Sequence, residues 1–391
     1  MKFSSIFILL FLIISPLFAQ TEKLTESLNS YSFDLYHKVR GGGENILISP
    51  LSTYYTLLML YEGAESDTRE EFIKVIKIEN EDMLNNFPAF SEKLTQINNE
   101  NNDLNISNAI WFNDDFPFNH NYKRKVENRY RTDIRIIDFS DGNAAAREIN
   151  NWVSDKTEGL FDNIMMPSGI SESSGMVIVN AVYFLGMWDS MFFDKDTEAD
   201  DFELINGDDI EVDFMNQLDS YRYYEDDELK VVGMYYTGRD KSFFILLPDD
   251  DDGIFELESK LNARYISEIL SNISYKRVEL SIPKFRLEVD YSLAEPLKRM
   301  GLNKAFTDEG NFNKINEDAP YKIDKIIQNT YIEIDEIKTE AAAVTAVPFE
   351  PGALKNPPSP EEFKADHPFV FLIMDENTGG IIFIGRLMDP G

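Results

Sequence analysis

The sequence predicts one α+β domain in which helices pack on large antiparallel or mixed β-sheets. Three observations predict it. Apolar residues recur at helical spacing up to about Lys156, and from Gly175 the pattern changes to short runs rich in β-branched and aromatic residues. No Gly/Ser linker or internal repeat separates the two parts. An apolar content of 43%, with 29 Phe and 18 Tyr, is enough for a substantial core.

Residues 1–19 stand apart. Lys2 precedes an apolar run from Ile6 to Ile14, followed by Ser15, Pro16 and the small Ala19. This reads as a secretory signal cleaved after Ala19, too short and too weakly flanked to stop transfer. No later run approaches ~18 apolar residues. Residues 20–391 are therefore expected as a soluble, membrane-free domain, secreted to the extracellular space or the periplasm. Next come an amphipathic helix over Tyr31–Val39, a turn at Gly41, Gly42 and Gly43, and a strand start in NILISP from Asn45. A helix follows over Leu51–Tyr61. Strands are expected at Met176–Phe184, Lys241–Pro248 and Arg277–Phe285. In TYIEIDE, Ile332 and Ile334 share one face and Glu333 and Asp335 the other. FVFLIM (Phe369–Met374) and IIFIGRL (Ile381–Leu387), joined by Asp375–Gly380, make a hairpin apolar enough to need cover on both faces.

Composition excludes several function classes. A net charge of −33 opposes the phosphate contacts of nucleic-acid binding. The absence of cysteine removes disulfides, thiolate metal sites and a cysteine nucleophile. The three histidines, His37, His120 and His367, lie in no metal-binding or catalytic motif, and no Gly-x-Ser-x-Gly or phosphate loop is present. No metal and no cofactor are expected. With 70 Asp and Glu, carboxylate pairs are too common for their spacing to indicate an acid/base hydrolase, which stays only as a remote alternative.

One stretch contradicts itself. From Thr339 the chain reads TEAAAVTAV, in which Thr339, Ala341, Ala343, Thr345 and Val347 would share one face of a strand that small side chains make buriable. Then Pro348, Pro351, Gly352, Pro357, Pro358 and Pro360 disfavour sheet interior and leave an exposed loop longer than ordinary connections. The loop is anchored upstream by TYIEIDE and downstream by the apolar hairpin.

These residues resemble the serpin family over nearly the whole mature chain. The resemblance rests on Asn45–Thr68, Glu148–Met165, the central motif NAVYFLGMWDSMF (Asn180–Phe192) and the C-terminal Phe363–Pro390. It implies a serpin-like single domain, residues 20–391, with the hinge and an exposed reactive-centre loop at about 336–366. It also implies a protease inhibitor rather than an enzyme. A serine protease would cleave the loop, and the hinge would then insert into the large sheet as a new strand, trapping the protease covalently as in suicide inhibition. At ~1 kcal/mol net per hydrogen bond, insertion releases on the order of 10 kcal/mol.

By the same resemblance the hinge is Glu336, Lys338, Thr339, Glu340, Ala341, Ala342, Ala343, Val344 and Thr345. Ser49, Ser52, Asn180 and Gln328 match the polar cluster beneath the sheet's opening, and Trp188 matches the aromatic where the hinge enters. Three positions depart from the family pattern. Lys338 replaces a glycine, Gln328 stands where many serpins place histidine, and Leu185 replaces the usual lysine. Counting back from His367-Pro368-Phe369 places the scissile bond at Leu354-Lys355, whereas counting forward from Glu336 places it at Gly352-Ala353. Leu354 is preferred as the better anchor for a specificity pocket, which suggests a chymotrypsin-, elastase- or subtilisin-like partner and a monomeric inhibitor. The alternative reading is a non-inhibitory serpin, cleaved as a substrate or used as a binding protein. Glu81–Gln96 has only Lys93 as a base, which argues against heparin-type activation.

Overall fold

The helix Pro50–Gly63 is buried along its whole length, and the two sheets are arranged around it. Its sequence, PLSTYYTLLMLYEG, is apolar or small almost all round, the pattern of a helix with no solvent face. Ser49 caps it, accepting from the Ser52 N–H, and Pro50 takes the first-turn position where a missing N–H costs nothing.

The computed structural model describes residues 4–96, 102–130, 132–172, 174–317, 321–336 and 359–391, with side chains from residue 20. In chain order the N-terminal part holds α1 (Ser4–Val39), β1 (Ile46–Ile48), α2 (Pro50–Gly63), α3 (Ser66–Ile76), α4 (Phe87–Thr95) and β2 (Asn102–Asn113). Then come α5 (His120–Tyr130), β3 (Asp133–Ile137), α6 (Gly142–Lys156) and β4 (Met176–Gly186). The next strands are β5 (Thr197–Glu203), β6 (Asp209–Glu225), β7 (Leu229–Tyr235) and β8 (Lys241–Pro248), followed by α7 (Ile254–Lys260) and α8 (Ala263–Asn272). The chain continues through β9 (Ser274–Pro283), β10 (Phe285–Ser292), α9 (Ala294–Arg299) and β11 (Ile323–Ile334). It closes with β12 (Glu361–Lys364), β13 (Phe369–Asp375) and β14 (Ile381–Leu387).

The strands form two sheets. The larger runs β1-β14-β13-β8-β7-β6-β9-β12, with β5 added on β6. The smaller, β10-β11-β4-β2-β3, has α2 under one face and α6 over the other. Under α6, Trp111 and Trp152 meet edge to face among Ala145, Ile149, Val177 and Val179. The hairpin is present as expected, with every residue of β13 and β14 buried.

The N-terminal part is helix-rich as expected, but it also holds β2 and β3, which the reading did not name. The first half of β2, NDLNIS, is rich in residues that favour turns, so its pattern alone does not signal a strand. Pairing with β4 along its whole length overrides that local preference.

Candidate functional site

The centre of the smaller sheet is a parallel pair. β11 and β4 run together from Ile323 opposite Met176 to Ile332 opposite Phe184, while the pairs flanking them, β10·β11 and β2·β4, are antiparallel. Parallel ladders are slightly less stable per residue than antiparallel ones, so this seam is a weaker pairing than the two beside it; the sheet's other parallel pair, β2·β3, lies at its edge.

Polar residues sit at the seam. Gln328 and Asn180 are register partners across it, and both are fully buried. Neither bonds to the other. Gln328 instead reaches the start of α2: its Oε1 accepts from the Ser49 N–H at 3.0 Å, and its Nε2 donates to Ser49 O at 2.8 Å and Thr53 Oγ1 at 2.9 Å. Asn180 Nδ2 donates to Thr56 Oγ1 and to Asn108 Oδ1, each at 2.7 Å. Asn108 Oδ1 also accepts from Ser52 Oγ at 2.6 Å. Ser49 Oγ donates to Ile382 O at 3.0 Å, tying the cluster to β14. Asn180 Oδ1 is buried without a partner among the described residues, at a cost of about 1–3 kcal/mol.

Two side-chain bonds clasp the seam, one at each end. At the bottom, Asp324 Oδ2 accepts the N–H groups of Gly175 (2.6 Å) and Met176 (3.3 Å). At the top, Trp188 Nε1 donates to Asp335 O at 2.9 Å, its indole stacked on Tyr236 at 4.5 Å. Between these ends the two amides bond away from each other, Gln328 to the start of α2 and Asn180 to α2 and β2, so parting the strands breaks backbone pairs and leaves both amide anchors intact.

Beyond β11 the chain is held once more. Glu336 is buried, with Lys284 Nζ at 2.7 Å and the Thr197 hydroxyl donating to it. Burial alone would raise its carboxyl pKa, but the bonds from Lys284 and Thr197 outweigh that and hold it below the ordinary carboxylate value. The chain re-enters at β12, which lies parallel on β9, and His367 anchors the turn that follows. Its ring faces Asp366 Oδ1 at 3.0 Å and Pro248 O at 2.9 Å.

The structure thus gathers the expected Ser49, Ser52, Asn180 and Gln328 into one cluster, with Trp188 and Glu336 at its upper end. Leu185 is partly exposed opposite Asp103, and nothing in the structure explains its departure from the family pattern. Lys338, Thr339, Glu340, Ala341, Ala342, Ala343, Val344 and Thr345 lie outside the described residues, as do Gly352, Ala353, Leu354 and Lys355. Sequence reasoning missed Asn108, Thr53 and Thr56. It also missed Lys284 and Thr197, whose distance from Glu336 along the chain leaves no local signal. The one available signal was the small polar face of α2, where Ser49, Ser52, Thr53 and Thr56 follow helical spacing.

Comparison with known proteins agrees with this geometry. The family model described as "Serpin (serine protease inhibitor)" matches residues 26–390. An uncharacterized serpin-like protein of Thermococcus kodakarensis is 35% identical over 95% of this chain and 87% of its own length. Human Serpin B4 is 29% identical over 94% of this chain and 99% of its own. Among solved structures, uncleaved ovalbumin superposes with a TM-score of 0.86 at 26% identity, covering 94% of this chain and all of that one. The thermophilic serpin tengpin in its native state gives 0.84 at 29% identity, covering 94% of each chain. Serpins are mostly protease inhibitors rather than enzymes, and some do not inhibit. The matched span, the relatives and the fold agree, and the chain belongs to the serpin family.

Proposed function

We propose that this protein is a secreted inhibitor of a serine protease that acts as a suicide substrate. The observation carrying the reading is the parallel β11·β4 seam, clasped at its ends and continuous through Glu336 with the hinge. A chain leaving the end of β11 and folding back would enter between β11 and β4 antiparallel to both. One parallel ladder would become two antiparallel ones, which supplies a driving force on the order of 10 kcal/mol at ~1 kcal/mol net per added bond.

In this mechanism the protease acylates itself on the loop, at Leu354-Lys355 by preference and otherwise at Gly352-Ala353. The freed hinge, Thr339 to Thr345, then inserts with its small alternate residues facing the core. Trp188 and Glu336 are the first contacts released, and Gln328 and Asn180 keep their hold on α2 as the strands part. Gln20 begins the mature chain once residues 1–19 are removed, leaving 20–391 as the serpin domain. A chymotrypsin-, elastase- or subtilisin-like enzyme follows from Leu354.

A second reading, a serpin that is cleaved without trapping, draws on Lys338 at the pivot, where a glycine would turn more freely, and on Pro348 in the inserting segment. One experiment separates the two. The mature protein is mixed with chymotrypsin, elastase, subtilisin and trypsin in turn, resolved on denaturing gels, and its cleaved loop sequenced by mass spectrometry. The inhibitor reading expects a covalent complex that survives denaturation with at least one enzyme. Clean cleavage with no complex and no gain in thermal stability would overturn it.

A further inference from the structure

The helix α1 spans the point at which the chain is cut in the proposed processing. The junction reads Leu17-Phe18-Ala19-Gln20-Thr21, so removal of residues 1–19 makes Gln20 amino-terminal and leaves residues 20–39 as the helix. Core contacts begin close behind that end. Gln20 and Thr21 are partly buried, Glu22 and Lys23 are exposed, and Leu24 is fully buried, as are Leu28 and Tyr31. Lys23 Nζ lies 2.5 Å from Glu79 Oε2, and Thr25 Oγ1 donates to Thr378 O at 3.1 Å. These contacts tie the first turns of the helix to the segment after α3 and to the β13–β14 turn, so loss of a few residues from this end would reach the groups that dock α1.

A free amino terminus here has two liabilities. Its ammonium would sit at the positive end of the helix dipole, a placement that Glu22 and Glu26 offset only in part. It would also be the group by which an aminopeptidase grips its substrate. Gln20 carries within itself the means to remove that group. Its carboxamide carbon Cδ is joined to the α-nitrogen through Cα, Cβ and Cγ, so attack of the amine on Cδ closes an unstrained five-membered ring. Among the described residues nothing bonds to the carboxamide to hold it away.

We infer that the mature chain begins with a pyroglutamyl residue formed from Gln20. The α-nitrogen bonds to Cδ, the Cδ–Nε2 bond breaks, and ammonia leaves carrying one proton of the former amine. Nothing is oxidised or reduced, and no co-reactant is needed. The product is a neutral lactam whose ring resembles that of proline, a residue well tolerated in the first turn of a helix, and the charge opposed by the dipole is gone. Stepwise trimming is blocked, which keeps Lys23 and Leu24 in the mature chain. The inference rests on the removal of residues 1–19 proposed above and is independent of whether the protein traps a protease.

The test uses the protein as secreted by a bacterial host from the full-length chain, residues 1–19 included. The purified protein is held at neutral pH, its free amines are labelled by reductive dimethylation, and only then is it digested and its amino-terminal peptide read by tandem mass spectrometry. The expected result is a peptide that starts at residue 20, is lighter by one ammonia than its sequence, and carries no label at its end. Pyroglutamyl aminopeptidase should then expose Thr21 and restore labelling. Gln20→Ala should be fully labelled, and an aminopeptidase should shorten it under conditions in which the unsubstituted chain keeps its mass. A peptide that begins with labelled Gln20 overturns the cyclisation and leaves the processing standing. A chain that begins at any other residue overturns both, and a Gln20→Ala chain that resists trimming equally well overturns the protective role.

Discussion

The C-terminal hairpin and the β11·β4 seam use the same secondary structure for opposite ends. In the hairpin, β13 lies between β14 and β8, both of its pairings are antiparallel, and each residue of β13 and β14 is buried. Phe371 packs on Phe243 at 5.3 Å and on Phe285 at 5.6 Å, and its ring fills the space where a Cβ on Gly385 would sit. Charged groups seal the ends: Lys241 with Asp375 at 3.0 Å, and Arg386 with Glu258 at 3.0 Å, all buried. The seam has parallel pairing, amides at its centre and an orphaned Asn180 oxygen. Interlocked aromatic packing makes the first region hard to separate. Side chains that bond past each other make the second a place where separation costs mainly backbone pairs.

The comparison breaks most sharply at Phe371. Phe371→Ala should lower stability by about 3–5 kcal/mol, because the ring is fully buried and its neighbours are held by β-sheet on both sides. Denaturant unfolding of the uncleaved protein measures it. A loss under about 1 kcal/mol would mean that the hairpin core is not close-packed.

At the seam the expected loss is smaller and its additivity is the sharper test. Gln328→Ala leaves the buried Ser49 N–H without its acceptor and removes one donor from Ser49 O, which keeps Thr53, and should cost about 1–3 kcal/mol. Asn180→Ala should cost a similar amount or less, since one of its polar atoms is already unsatisfied. In a double-mutant cycle the two should couple by less than about 0.5 kcal/mol, although they are register partners, because they share no hydrogen-bond partner. A coupling above about 1 kcal/mol would show that the two strands are held to each other through these side chains after all.

How legible these regions were follows from where their information resides. The hairpin could be read directly, because six apolar residues, a turn and a second apolar run interrupted by Gly385 and Arg386 announce a doubly covered strand pair without any distant partner. The small-residue face expected after Thr339 lies outside the described residues. By contrast β2 was hidden behind its asparagines, and with it Asn108, which joins Ser52 to Asn180. The Glu336 clamp was invisible for another reason: Lys284 and Thr197 are ordinary surface-type residues whose meaning exists only once the start of β5, the β9–β10 junction and the end of β11 come together.

Trp188→Phe gives the next smaller effect. It keeps most of the stacking on Tyr236 and loses only the bond to Asp335 O, a change of about 1 kcal/mol. If the hinge opens at this end, the variant should raise the hydrogen-exchange rate of the β11 amides near Ile332 while leaving those near Ile326 unchanged. Uniform acceleration along β11 would place the opening elsewhere.

The two anchors flanking residues 337–358 should respond to pH in opposite directions, the smallest effects expected. Glu336 has a lowered pKa, so its contribution is fully present above the ordinary value of 4.5 and is lost as pH falls through its lower folded value. His367 is the reverse. Burial disfavours its charged form, but the Asp366 carboxylate and the Pro248 carbonyl, with Asp251 at 3.5 Å, raise its pKa above 6.5. Both ring nitrogens face acceptors, so only the imidazolium donates to both. Its contribution is therefore complete below pH 6.5 and is lost as pH rises through the folded value. Proton NMR of the three histidines, with His367→Gln to assign the signal, should find His367 titrating above 6.5, and the stability difference from His367→Gln shrinking from pH 6 toward pH 9. A His367 that titrates below 6.5 would mean that burial outweighs the carboxylate, and that the distal anchor is held by the β12·β9 ladder and by packing alone.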